Sequence, residues 1–175
     1  MKRITTSILS FIGLTMLITS CISGNNSTTD FAEWKTQNDS YFTNMKDSTG
    51  YVLYNIPDSS GGYSYYYKVT TPGDQSSVSP RSTDQVTVNY RGKLINGYVF
   101  DQTYTGSVIS TGTTPSTFYP KSLIPGWTQN LIQMKVGEIR TFVLPQELAY
   151  GTAGSGAIYP YSTTIWVVQL VSVVH

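Results

Sequence analysis

Few side chains in this chain are suited to covalent or metal chemistry, and their positions narrow the reaction classes open to it. The single histidine, His175, is the last residue, where fraying is expected. The single cysteine, Cys21, closes an apolar leader. Ser-His-Asp and Cys-His catalysis therefore lack a base. No Cys/His cluster has zinc-ligand spacing and the ten carboxylates show no calcium-loop pattern, so no metal is expected. The glycines between Gly151 and Gly156 form neither a P-loop nor a dinucleotide fingerprint, because no Lys-Ser/Thr pair or helix follows. What fits is a process that needs no nucleophile, metal or cofactor. The richest stretch for it is LIPGWTQNLIQMKVGEIRTFVLPQELAYG, from Leu123 to Gly151. It joins a Pro-Gly-Trp helix start, a Val-Gly-Glu turn, an apolar strand and an Ala-Tyr-Gly loop.

The elements that must position these residues are mostly strands. Tyr51–Ile56 and Tyr63–Thr70 are aromatic and β-branched, and the turn-rich Pro57–Gly62 separates them. Gln85–Tyr90 alternates, with Val86, Val88 and Tyr90 on one face. Leu94-Ile95, Asn96-Gly97 and Tyr98-Val99-Phe100 read as a hairpin, since Asn-Gly tolerates the positive φ angles of a type I′ turn. Thr103–Thr117 reads as a polar loop. Gly126–Met134 reads as a short helix started by Pro125, with Trp127, Leu131, Ile132 and Met134 available for burial. Ile139–Leu144 and Thr163–Val174 complete the strands. The fold class is α+β, a curved antiparallel sheet of about five to six strands around one short helix.

The N-terminal part differs in composition. Residues 1–20 read as an export signal, with Lys2 and Arg3 ahead of an apolar run from Ile8 to Ile18 that is too short to span a membrane comfortably. Ile18-Thr19-Ser20-Cys21 resembles a bacterial lipobox, which implies lipidation of Cys21 and a lipid-anchored protein of the bacterial cell envelope, the outer membrane being the expected location. Residues 21–29 then form a tether. Asp30 and Glu33 make a capping-box-like pair that starts a helical segment over residues 30–50, which either packs on the domain or serves as a spacer. The domain itself takes residues 51–175. Formal net charge is +1, and loss of Lys2 and Arg3 leaves nine basic against ten acidic side chains. Nothing here favours nucleic acid.

The order of motifs resembles the FKBP-type peptidyl-prolyl cis-trans isomerases over about residues 63–174. VTVNYRGKLINGYVFD at Val86–Asp101, LIPGW at Leu123–Trp127, LIQMKVGE at Leu131–Glu138, AYG at Ala149–Gly151 and IWVVQLVSV at Ile165–Val173 occur in the family's sequence order. The resemblance implies that Tyr90, Phe100, Trp127 and Trp166 line a prolyl pocket with Trp127 as its floor. It implies that Leu123 and Ile124 supply wall and a backbone donor, the Ile124 N–H serving a substrate carbonyl. Tyr150 is then the rim hydroxyl, Asp101 the polar group beside the twisting amide, Phe118 a further wall residue and Ile158 a rim residue. A carboxylate directly after an apolar hairpin strand is costly unless paired or functional, which singles out Asp101.

The implied reaction is rotation about X-Pro bonds in exported proteins. Its barrier is about 18–20 kcal/mol, and an aromatic pocket with one or two polar groups is sufficient to lower it. No cofactor is implied. Proline-containing segments are the implied partners, and a macrolide of the tacrolimus type is a possible ligand. Two departures mark this chain. Trp166 stands where many members have phenylalanine, and Gly151–Pro160 is about one residue short, with Tyr159 and Tyr161 in unusual places. The altered loop motivates an alternative, a binding module that grips proline segments without turnover. A further alternative makes the N-terminal helix a partner surface on an FKBP scaffold.

Overall fold

The structure, a computed structural model, describes residues 27–57, 62–106, 109 and 113–175. The export signal, Cys21 and most of the tether lie outside the described residues. No helix among the described residues is long and apolar enough to cross a membrane.

Among the described residues seven strands form one antiparallel sheet. They are β1 (Val52–Asn55), β2 (Ser64–Thr71), β3 (Gln85–Leu94), β4 (Val99–Gln102), β5 (Ser116–Phe118), β6 (Ile139–Leu144) and β7 (Thr164–Val174). Their order across the sheet is β1-β2-β6-β7-β3-β4, and β5 pairs with β3. β5 is the strand that the polar loop reading missed. Its residues pair Val86 with Phe118, Thr87 with Thr117 and Val88 with Ser116, so the neighbouring strand supplies an order that three residues cannot supply alone.

Each strand sends alternate side chains to opposite faces, and both faces are used. Tyr65, Phe142, Leu144, Trp166, Val168 and Leu170 join Val86, Val88 and Tyr90 in the main core, together with Trp127, Leu131 and Met134. This face holds α2 (Pro125–Leu131), which starts at Pro125 in the first turn, where proline's missing N–H costs nothing. Tyr66, Val143 and Ile165 point the other way and pack with Met45, against which Tyr41, Phe42 and Tyr51 also lie. That second face is covered by α1 (Ser27–Asn44) and the 3-10 turn Met45–Asp47. The N-terminal segment therefore packs on the domain. The helix begins three residues before Asp30, so Ser27–Thr29 belong to it rather than to the tether.

Two further expectations change. Among the described residues only Tyr161 is non-glycine with positive φ, so Asn96 is not in the left-handed region that a type I′ turn requires. The hairpin instead closes with Gly97 N–H donating to the Leu94 carbonyl at 3.0 Å and Leu94 N–H to the Tyr98 carbonyl at 2.9 Å, with Gly97 at φ 88. This is the glycine-bulge form of a slightly longer turn. His175 is not frayed, because its Nδ1 lies 2.8 Å from Oδ2 of Asp84, a carboxylate also held by the Arg81 amide at 2.8 Å and the Arg81 Nε at 2.9 Å.

Candidate active site

One cleft gathers most of the residues singled out in the sequence. It has a volume of about 260 Å3 and is lined by Tyr90, Asp101, Phe118, Ser122, Leu123, Ile124, Trp127, Tyr150 and Trp166. Phe100 stands behind the lining, edge-on to Trp166 at 5.0 Å and to Tyr150 at 6.3 Å. Ile158 is the exception. It is buried and paired with Ser155, and it does not reach the cleft wall. Ser122 is an addition that no sequence signal indicated.

The floor is an aromatic lattice. Trp127 meets Tyr90 edge-on at 5.4 Å and 85°, Trp166 at 5.0 Å and 89°, and Phe142 at 5.9 Å and 86°. Such edge-to-face contacts between rings are worth about 0.5–1.5 kcal/mol beyond area burial, and they fix ring orientations. Trp127 sits in the first helical turn of α2 and is 4% exposed. Its indole N–H has no hydrogen-bond partner among the described residues, a cost tolerated where the helix must present a ring as a floor.

Two glycines make this packing possible. A Cβ on Gly92 would lie 2.4 Å from Trp166 Cζ3 and 2.7 Å from the Phe100 ring. Gly92 thus provides the room for the larger indole at position 166. A Cβ on Gly126 would lie 2.4 Å from Leu144 Cδ1, so α2 reaches its depth only without a side chain there. Sequence reading missed Gly92, whose only signal was a glycine inside a strand pattern, a mark of close approach.

The polar groups sit on one wall. In the β3–β4 pairing Gly92 opposes Asp101 while Lys93 opposes Val99, which leaves Phe100 as an extra residue. A bulge of this kind re-aims side chains and brings Asp101 beside Tyr90. The Tyr90 hydroxyl donates to Asp101 Oδ2 at 2.9 Å. Burial, then the hydrogen bond to Asp101, push the Tyr90 hydroxyl up to about 12, so it remains a neutral donor at ordinary pH. Burial and then the Asp101 charge also raise the Tyr150 hydroxyl.

In the same cleft, Ile124 caps α2. Its carbonyl accepts the Trp127 N–H at 3.0 Å and the Thr128 N–H at 3.2 Å, while its own N–H has no acceptor among the described residues. Among the described residues no group of three or more His, Cys, Asp or Glu side chains is placed to hold a metal ion. The arrangement can bind an apolar ring on aromatic walls, donate a backbone N–H to a carbonyl, and hold a carboxylate by a tyrosine.

Comparison with known proteins agrees with this geometry. Residues 76–171 match the model of the FKBP-type peptidyl-prolyl cis-trans isomerase family. The chain is 44% identical over 108 residues to the peptidyl-prolyl cis-trans isomerase Mip of Coxiella burnetii, covering 61% of this chain and 44% of that protein. It is 34% identical over 142 residues to the outer membrane protein MIP of Legionella longbeachae, covering 81% of this chain and 54% of that one. The crystal structure of FkpA from Escherichia coli superposes with a TM-score of 0.67 at 35% identity, covering 83% of this chain and 61% of that one. The chain thus spans only about half the length of these two curated relatives. Since more than half of the chain matches the family model and the motif residues it carries converge on a single cleft, the chain belongs to the FKBP-type peptidyl-prolyl cis-trans isomerase family.

Proposed function

We propose that the chain is a peptidyl-prolyl cis-trans isomerase acting on proline-containing segments of exported or envelope proteins. The observation that carries this is the Tyr90–Asp101 pair, bonded at 2.9 Å on the wall of an aromatic cleft also lined by Ile124, whose N–H has no acceptor among the described residues. In this reading the proline ring rests on Trp127 between Tyr90, Phe118 and Trp166, with Phe100 backing the indole. The Ile124 N–H binds a substrate carbonyl, and Tyr150 holds the peptide at the rim. Twisting the X-Pro amide breaks its resonance and makes its carbonyl less polar, so apolar walls favour the twisted state over the planar one. Asp101, oriented by Tyr90, interacts with the twisted amide more strongly than with the planar amide, and that difference lowers the barrier. No bond forms or breaks.

A protease-coupled or NMR exchange assay on a proline tetrapeptide tests the proposal. Turnover above the uncatalysed rate is expected, and its absence at micromolar protein, in folded chain, overturns it. The short loop Gly151–Pro160 supports a second reading, a non-catalytic proline-binding module; peptide or tacrolimus-type macrolide binding without turnover is its signature.

The same proposal places the protein in the bacterial envelope, anchored through lipid on Cys21. The lone cysteine directly after Ile18-Thr19-Ser20 supports this, as does the outer-membrane designation of the Legionella longbeachae relative. Metabolic labelling with a fatty acid is expected to mark the chain and to be lost in Cys21→Ser; label retained in that variant overturns the anchor.

A further inference from the structure

The loop beside the cleft is held from the opposite face of the sheet by α1. Tyr150 lines the cleft, and its carbonyl accepts the Gly154 N–H at 3.1 Å, while Tyr161 N–H donates to the Gly151 carbonyl at 3.0 Å. The loop is therefore closed at its base and bonded to the backbone of a cleft residue. It has little slack, since a Cβ on Gly154 would lie 2.2 Å from the Ile158 carbonyl oxygen, and Tyr161 holds φ at 63°, a left-handed conformation that L side chains disfavour. Something must hold that exit in place.

α1 does so with two residues one turn apart. The Trp34 Nε1–H donates to Ser162 Oγ at 3.0 Å, and Ser162 Oγ donates to the Tyr159 carbonyl at 2.7 Å. Asn38, fully buried, accepts the Thr163 N–H on Oδ1 at 2.7 Å and receives Thr163 Oγ1 on its carbonyl at 3.3 Å. Its Nδ2 is satisfied by the Trp34 carbonyl at 2.7 Å. Tyr159 is flanked by the rings of Phe31 at 6.1 Å and Trp34 at 5.9 Å. Past the anchored Thr163, Thr164 Oγ1 accepts the Trp166 Nε1–H at 3.0 Å, so the braced segment runs between two cleft residues, Tyr150 and Trp166.

We infer that Trp34 and Asn38 are positioning residues for the cleft rim: α1 fixes the loop over residues 151–163 and, through it, the placement of Tyr150 that sets peptide affinity. In its kinetic arm the inference rests on the isomerase reading. The test uses the full chain with Ser162→Ala, which removes the Trp34 acceptor, and Trp34→Phe, which keeps the ring against Tyr159. Trp34→Phe is expected to speed amide exchange over residues 151–163 by about fivefold, the worth of one net hydrogen bond, and Ser162→Ala, which also loses the bond to the Tyr159 carbonyl, by at least as much, with β3 and α2 unchanged. KM for a proline tetrapeptide should rise by a similar factor, about fivefold, with kcat within about twofold. The double variant should equal Ser162→Ala alone, because without the Ser162 hydroxyl the Trp34 N–H has no bond left to lose. Faster loop exchange with unchanged KM overturns the inference, as does unchanged loop exchange. A wild-type chain that binds the tetrapeptide without turnover removes the isomerase reading alone; the brace is then judged by the tetrapeptide Kd, which must rise in the same variants.

Discussion

The two faces of the sheet hold their helices by different physics. On the cleft face α2 has only seven residues, yet it is enclosed by rings, and Trp127 touches three or more aromatic neighbours at edge-on angles. On the other face α1 has 18 residues, yet it buries few of them. It is attached by the small Met45 cluster, by a hydrogen bond donated by Trp34 to Ser162 and by one that Asn38 accepts from Thr163. Enclosure fixes distances to within an atom's width, which suits a pocket floor. Hydrogen bonds to two buried residues at a loop's end, Ser162 and Thr163, fix where that loop stands while much of the loop stays exposed, which suits a rim. The same strands serve both, as Ile165 and Trp166 point to opposite faces from adjacent positions.

The sharpest way to break this contrast is to empty each face in turn. Trp127→Ala is expected to cost about 3–5 kcal/mol and to abolish peptide binding, whereas Met45→Ala should cost about 2 kcal/mol and leave binding in place. Denaturant titration of both variants checks this, and equal costs would remove the distinction. Next in size, Gly92→Ala is expected to cost about 1–3 kcal/mol through overpacking against Trp166 and Phe100. A parallel drop in peptide affinity would tie that close approach to the pocket.

Smaller still in stability, Tyr90→Phe should move the denaturation midpoint little but lower kcat/KM by about tenfold in the exchange assay, with Asp101→Val following it. A midpoint loss as large as that of Gly92→Ala would make the pair structural. In the parent, Tyr90 also predicts an alkaline limb. Its pKa is raised from 10.0 to about 12, so its stabilising contribution is complete below pH 10 and is lost as pH rises through about 12. Tyr90→Phe should have a smaller alkaline limb in thermal melts, the remainder coming from other raised tyrosines such as Tyr150.

The smallest effect belongs to the end of β7, away from both helices. The Arg81 amide, then His175 and the Arg81 side chain, hold the Asp84 carboxyl below its ordinary 3.8. A depressed carboxylate contributes stability that is present above its unfolded pKa and is lost as pH falls through the folded one. His175→Ala is therefore expected to lower the melt at pH 7 slightly and to shrink the loss on acidification, since less of the Asp84 stabilisation is there to lose. An unaltered acid limb would show that the Arg81 contacts alone carry it.

Much of this architecture was legible before folding. The alternation of Val86, Val88 and Tyr90 gave the inward face of β3 correctly, and the Pro-Gly-Trp start placed α2. β5 was hidden because Ser116–Phe118 is too short and too polar to pair without β3 beside it. The hairpin turn was misjudged because Asn-Gly serves two turn types, and only the strand register selects between them. Of the site residues, Ile158 was expected at the rim, whereas it is buried and pairs with Ser155, a contact within the loop that no residue pattern announced. Gly92 was missed because its value lies in an absent atom, which becomes visible only when Trp166 and Phe100 arrive.

By itself the sequence determined the α+β class and the inward face of β3, because side-chain type and a two-residue period are local properties. Which residues meet was decided by the tertiary structure. Tyr90 and Asp101 are 11 residues apart and depend on a bulge for their bond. Trp34 and Ser162 are 128 residues apart, and no local preference connects them. Such contacts form only when the sheet closes, since the packing of its two faces, rather than any segment's own tendency, brings those atoms within bonding distance.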